Sequence, residues 1–146
     1  MIDVNHVTTV EAVVFSQSLI AVGTVILPDK TALMIDCARI LADLGFALVG
    51  TRGTADWLSE QGVNCDVVNK VYEGRPNIVD MLKNGDIQLV MNTTEGNQAV
   101  SDSREIRAVA LYDKIPYFTT AAGSHAAAQA IKAMREDALG VRALQG

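Results

Sequence analysis

The chain has 146 residues and a formal net charge of −5, with 49% hydrophobic and 20% charged residues. That length suits one domain, and that composition is globular rather than disordered. An acidic balance argues against a groove for nucleic acid, although a local cluster of cations and backbone N–H groups can still hold a small anion. No apolar run reaches the roughly 18 residues of a membrane span. The start carries Asp3 and no basic region, so no signal peptide is expected and a cytoplasmic location is. The two cysteines, Cys37 and Cys65, fall in apolar segments without metal-ligand spacing and are expected to be reduced core thiols.

Residues 18–27 are apolar and β-branched and predict one buried strand or two short ones. Pro28 breaks the run, and Asp29 is the expected N-cap of a helix over 30–44, closed by Gly45. A strand at 46–49 leads through Thr51-Arg52-Gly53-Thr54 into a helix that ends before Gly62. A third strand is expected at 65–68, a polar loop at 69–76 and a helix over 77–83. The uncharged run 87–91 is the clearest strand. A helix over 99–114, a short strand at 117–119 and an Ala-rich helix over 124–136 complete the chain. Strands alternating with helices at this spacing predict an α/β fold, a mostly parallel sheet of about five strands covered on both faces.

In such a sheet the strands end on one edge, where ligands bind. The second to fifth strands are followed by Thr51, Arg52, Gly53 and Thr54; by Asn69, Lys70 and Arg75; by Asn92, Thr93 and Thr94; and by Thr119, Thr120, Gly123 and Ser124. Hydroxyls, amides and cations at four ends fit an anion, above all a phosphate, and Gly53 would let the backbone approach it. Any one of these turns alone is more often a helix cap, and it is their convergence on one edge that points to a ligand. Lys30 opens the first helix and stands either at this edge or in solvent, and Arg52 has the same two readings. His6 lies near the start and His125 near a helix start, where capping or surface roles are the default. No Ser–His–Asp or Cys–His set and no Gly-rich nucleotide motif is present. Glu73 and Asp80 are the carboxylates nearest in sequence to the site, which looks built to bind rather than react.

Thr51-Arg52-Gly53-Thr54-Ala55, the stretch 69–76 (Asn-Lys-Val-Tyr-Glu-Gly-Arg-Pro), Asn92-Thr93-Thr94-Glu95-Gly96 and the stretch 102–107 (Asp-Ser-Arg-Glu-Ile-Arg) together resemble the C-terminal regulatory domain of the carbamoyl phosphate synthetase large chain, within the methylglyoxal-synthase-like fold family. The resemblance runs from about residue 29 to the end, with 69–76 its most specific part. It implies a three-layer, Rossmann-like fold with five parallel strands. It implies a site for nucleotide effectors, UMP and IMP, or inorganic phosphate. That pocket carries over onto Thr51, Thr54, Lys70, Asn92 and Thr94, and onto Lys30 and Thr93. It implies as partners the rest of the large chain and a glutaminase small chain, in pyrimidine and arginine biosynthesis, with no cofactor in this chain. The ATP-dependent ligase chemistry of the family needs far larger domains, so the chain alone is not expected to catalyse it.

Residues 1–17 are expected to be an extension or linker remnant, with the domain at 18–146. Residues 23–28 also resemble the family's linker, so either 18–27 serves as the first strand or that strand is missing. The ending, Val-Arg-Ala-Leu-Gln, resembles a natural family end, and the chain is expected to be an excised terminal domain. Two other readings stand beside regulation. One is a methylglyoxal-synthase-like lyase acting on dihydroxyacetone phosphate, which needs a carboxylate base where this chain has Glu73-Gly74-Arg75-Pro76. The other is an interaction module that has lost its partner domain.

Overall fold

The computed structural model describes residues 23–70, 73–93 and 97–145, with side chains described except at 97–103 and 138–145. The expected boundary between residues 17 and 18 lies outside them.

Among the described residues, five strands form one parallel sheet: β1 (Gly23–Leu27), β2 (Ala47–Gly50), β3 (Asp66–Val67), β4 (Leu89–Asn92) and β5 (Tyr117–Phe118), in the order β3-β2-β1-β4-β5. The segment resembling a linker is therefore the central strand, buried along its whole length. Strands pair both of its edges and helix layers cover both of its faces, which is why it reads as a continuous apolar run rather than an alternating one. Its partners are Thr24↔Leu48 on one side and Thr24↔Leu89 on the other.

Among the described residues, five helices connect and cover the strands: α1 (Ala32–Asp43), α2 (Arg52–Glu60), α3 (Ile78–Lys83), α4 (Asn97–Tyr112) and α5 (Ala121–Gln145). In α1, Met34, Cys37, Ala38 and Leu41 recur at helical spacing and are buried. With Leu58 of α2 and Ala127, Ala128 and Ile131 of α5 they pack on Ile26, Leu48, Leu89 and Met91. On the opposite face, Ile78, Val79 and Leu82 of α3 and Ile106 of α4 pack on Val25, Val49 and Val90. The result is three layers.

Local chemistry sets the helix ends. α1 stops where Gly45, at φ 87°, lets its own N–H bond Ala42 O and the Phe46 N–H bond Leu41 O. The same two bonds close α2 at Gly62, α3 at Gly85 and α4 at Lys114. At the other end of α3, Asn77 accepts from the N–H groups of Val79 and Asp80 while the Asp80 carboxylate accepts from the Asn77 N–H.

Several boundaries differ from expectation for physical reasons. The N-cap of α1 is Thr31, because Lys30 takes a left-handed backbone that no helix accommodates. β4 begins two residues later than expected, since Gln88 is engaged at the turn: its N–H bonds Gly23 O and its side chain bonds the Gly23 N–H. α5 begins at Ala121, three residues early, because Thr120 bonds the Gly123 N–H through its side chain. Gly123 and Ser124 are thus helical, and the Ser124 hydroxyl is buried without a hydrogen-bond partner.

Candidate functional site

The strand order reverses between β1 and β4, since the chain winds from β1 to β3 on one side and from β4 to β5 on the other. The crevice at the carboxyl ends of two such strands is where doubly wound sheets receive ligands. Leu27 and Asn92 are paired in register at that point.

The predicted residues fall along this edge in strand order. Lys70 follows β3, Thr51 follows β2, Lys30 follows β1, Asn92 ends β4, and Thr93 comes directly after it. Strands lie about 4.8 Å apart, so the ends from β3 to β4 span roughly 14 Å, a width that long side chains help to bridge. Thr119 and Thr120 lie beyond them at the outer strand β5. Thr94 falls outside the described residues.

Thr51 is the N-cap residue of α2, with extended backbone and no side-chain cap bond. Its hydroxyl lies 3.4 Å from that of Thr54. The first turn of α2 carries no acidic side chain, so its N–H groups keep a favourable field for an anion. A Cβ at Gly53 would meet nothing within 4 Å, which leaves that side open to a ligand. Beside the site, Gly50 is a glycine that the fold itself requires: a Cβ there would stand 2.8 Å from Thr54 Cγ2 and 2.9 Å from Ile26 O.

At the switch point a small network joins β1 to β4. The Thr93 N–H donates to Leu27 O at 2.9 Å, and the Asp29 N–H donates to Thr93 Oγ1 at 2.9 Å. Asp29 Oδ1 accepts from the Thr31 N–H at 3.2 Å and the Thr31 hydroxyl at 2.9 Å. Lys30 sits within this turn and is exposed. Asn92 is 6% exposed and donates through Nδ2 to the Tyr117 hydroxyl at 2.8 Å. Asp29, Gly50 and Tyr117 are the contributors that the strand-end reading missed. Of these only Asp29 carries a local signal, the Asp-x-Thr spacing of an Asx turn.

Like Asp29, the two carboxylates that the sequence places nearest the site, Glu73 and Asp80, are engaged. Glu73 accepts from the Lys70 N–H at 2.7 Å. Asp80 is paired with Arg75 at 2.7 Å and caps α3. Hydrogen bonds from Arg75, then that from the Asn77 N–H, hold the Asp80 carboxyl below the usual carboxylate range. A lowered pKa and a bound cation do not suit a general base. Arg52 is exposed at the start of α2, and His125 is paired with Asp36 at 2.6 Å, which ties α5 to α1. His6 lies outside the described residues.

A surface cavity of about 480 Å³ lies at the opposite edge, lined by Arg39, Asp43, Phe46, Val63 and Asn64 among others, and holds none of the predicted site residues. Among the described residues no group of His, Cys, Asp and Glu is placed to hold a metal ion, and no helix is long and apolar enough to cross a membrane.

Comparison with protein-family models matches residues 33–119 to the MGS-like domain. Among curated proteins, the chain is 43% identical over 144 residues to the carbamoyl phosphate synthase large chain of Rhizobium meliloti, covering 92% of this chain and 12% of that protein. It is 52% identical over 118 residues to the large chain of Halomonas eurihalina, covering 81% and 11%. It is 47% identical over 112 residues to the large chain's C-terminal section from Methanopyrus kandleri, covering 76% and 21%. The chain thus spans about a tenth to a fifth of the length of these relatives.

Proposed function

The chain belongs to the MGS-like domain family, and from that premise we propose that it is a regulatory domain of carbamoyl phosphate synthase that binds the phosphate of a nucleoside monophosphate, UMP or IMP. One observation carries the reading: cations, hydroxyls and an amide from four adjacent strand ends share the edge at the β1/β4 switch point. Lys30 and Lys70 supply charge, Thr51 and Thr54 supply hydroxyls beside free N–H groups of α2, and Asn92 supplies an amide. Thr93 stands at the same place, and Thr94 follows it in sequence.

Regulation is favoured over lyase chemistry because Glu73 and Asp80 are committed to structural bonds. The parent activity, the glutaminase small chain, the rest of the large chain, the cytoplasmic setting and the role in pyrimidine and arginine biosynthesis come with this proposal. The chain alone binds and does not catalyse.

Calorimetric titration with UMP, IMP and inorganic phosphate tests it. Binding in the micromolar to millimolar range supports the proposal. No heat at millimolar ligand, in a sample that unfolds cooperatively, refutes it. Formation of methylglyoxal from dihydroxyacetone phosphate would favour the lyase.

A further inference from the structure

Among the described residues, two that are not glycine adopt a left-handed backbone, Lys30 at φ 62° and Lys114 at φ 58°. Lys114 has an ordinary reason: it is the residue after the C-cap of α4, where the chain must reverse its hand. Lys30 has no such reason, because it precedes a helix whose N-cap is Thr31. A strained residue of this kind persists only where its surroundings fix it, and such residues cluster at functional sites.

Here the residues on either side of Lys30 are both fixed. Asp29 is held through its N–H by Thr93 Oγ1, and Thr31 is held through its N–H and hydroxyl by Asp29 Oδ1. Thr93 is itself anchored by its N–H to Leu27 O and is 5% exposed. The bracket therefore crosses the switch point, from the end of β4 to the turn after β1.

We infer that Thr93 is a positioning residue: its hydroxyl holds the left-handed turn that fixes Lys30 at the anion edge, and it acts on the anion through Lys30 rather than by contact. The role toward an anion rests on the proposed function, whereas the bracket does not.

Two cycles test this, one with ligand and one without. Without ligand, Lys30→Gly relieves the strain and raises the thermal midpoint by about 2–4 °C. In the Thr93→Val background that gain disappears, because the released turn has no strain left to relieve. With ligand, Thr93→Val and Lys30→Ala each weaken binding of inorganic phosphate and UMP by about tenfold. The double variant binds no worse than Lys30→Ala alone, and Thr93→Ser, which keeps the hydroxyl, binds like the parent chain. A Lys30→Gly gain that persists without the Thr93 hydroxyl overturns the bracket. Additive losses overturn the indirect role and make Thr93 a direct ligand. If the parent chain binds neither phosphate nor UMP, the positioning role falls with the proposed function, and the ligand-free cycle still decides whether the bracket exists.

Discussion

Replacing Gly50 with alanine probes the joint between the sheet and the anion edge. The added methyl carbon would stand 2.8 Å and 3.0 Å from Thr54 Cγ2 and Cβ, and 2.9 Å from Ile26 O. Ordinary contacts lie at about 3.4 Å or more, so neighbours must retreat by roughly half an ångström. Thr54 is 5% exposed and Ile26 O belongs to the central strand, so neither has free space. Relief requires α2 to lift or β1 and β2 to part. The expected loss is about 2–3 kcal/mol, in the upper part of the usual range for overpacking, or roughly 4–12 °C in the unfolding midpoint. Thermal and urea unfolding followed by far-ultraviolet circular dichroism reads it directly. The companion change, Gly53→Ala, works in the opposite sense. It adds a methyl to open space inside α2 and should stabilise the free chain by about 0.5–1 kcal/mol. The same methyl should weaken phosphate binding if the anion approaches there. A Gly50→Ala midpoint within about 1 °C of the parent chain would refute the packing argument.

Lys70→Ala should weaken UMP or phosphate binding by about 1.5–3 kcal/mol, the scale of a charge-assisted hydrogen bond, and titration calorimetry measures it. Asp80 titrates below the usual carboxylate range in the folded state, so its stabilisation is complete above about pH 4 and is lost as the pH falls through the folded value. Urea titrations from pH 6 down to pH 2 should therefore show a shallower loss of stability for Asp80→Asn than for the parent chain; parallel curves would remove Asp80 from the account. Burial, then the charge of Asp36, pushes the Cys37 thiol up to about 12, and burial, then Asp66, pushes that of Cys65 up to about 11. At pH 8 iodoacetamide should label the native chain slowly, Cys65 ahead of Cys37, and both quickly in urea, as read by mass spectrometry.

Most of the architecture was legible because the periodicities are local. The α1 stripe of Met34, Cys37, Ala38 and Leu41 and the glycines closing α1, α2 and α3 announce helices with their ends. β1 was harder to read, because a strand buried on both faces has no alternation and Gly23–Leu27 doubles as plausible linker sequence. β3 is two residues long and exposed, so four apolar-patterned residues overstate it. The tail of α5 continues to Gln145, past the expected stop at 136, through a proline-free stretch in which Gly140 alone is a poor helix former and does not end the helix.

The candidate site was legible to the extent that topology aligns strand ends. Once the strands are parallel, Thr51, Lys70 and Asn92 must share an edge. What joins those ends was not legible. The bonds from Asp29 to Thr93 and from Asn92 to Tyr117 link residues 64 and 25 positions apart. No local pattern encodes them. The same holds in part for Gly50, which is hemmed in by Thr54 in its own segment and by Ile26 O on the neighbouring strand. The backbone of Lys30 follows from that through-space bracket, and it is why an N-cap expected at Asp29 moved to Thr31.

Whether a phosphate binds at the carboxyl edge of the sheet is read residue by residue by titrating the isotope-labelled chain with UMP while recording backbone amide shifts. Binding there gives saturable shifts centred on Lys30, Thr51, Gly53, Thr54, Lys70 and Asn92, reproduced in part by inorganic phosphate. Shifts confined to the cavity at the opposite edge, around Arg39, Phe46 and Asn64, or no shifts at millimolar UMP, would contradict it.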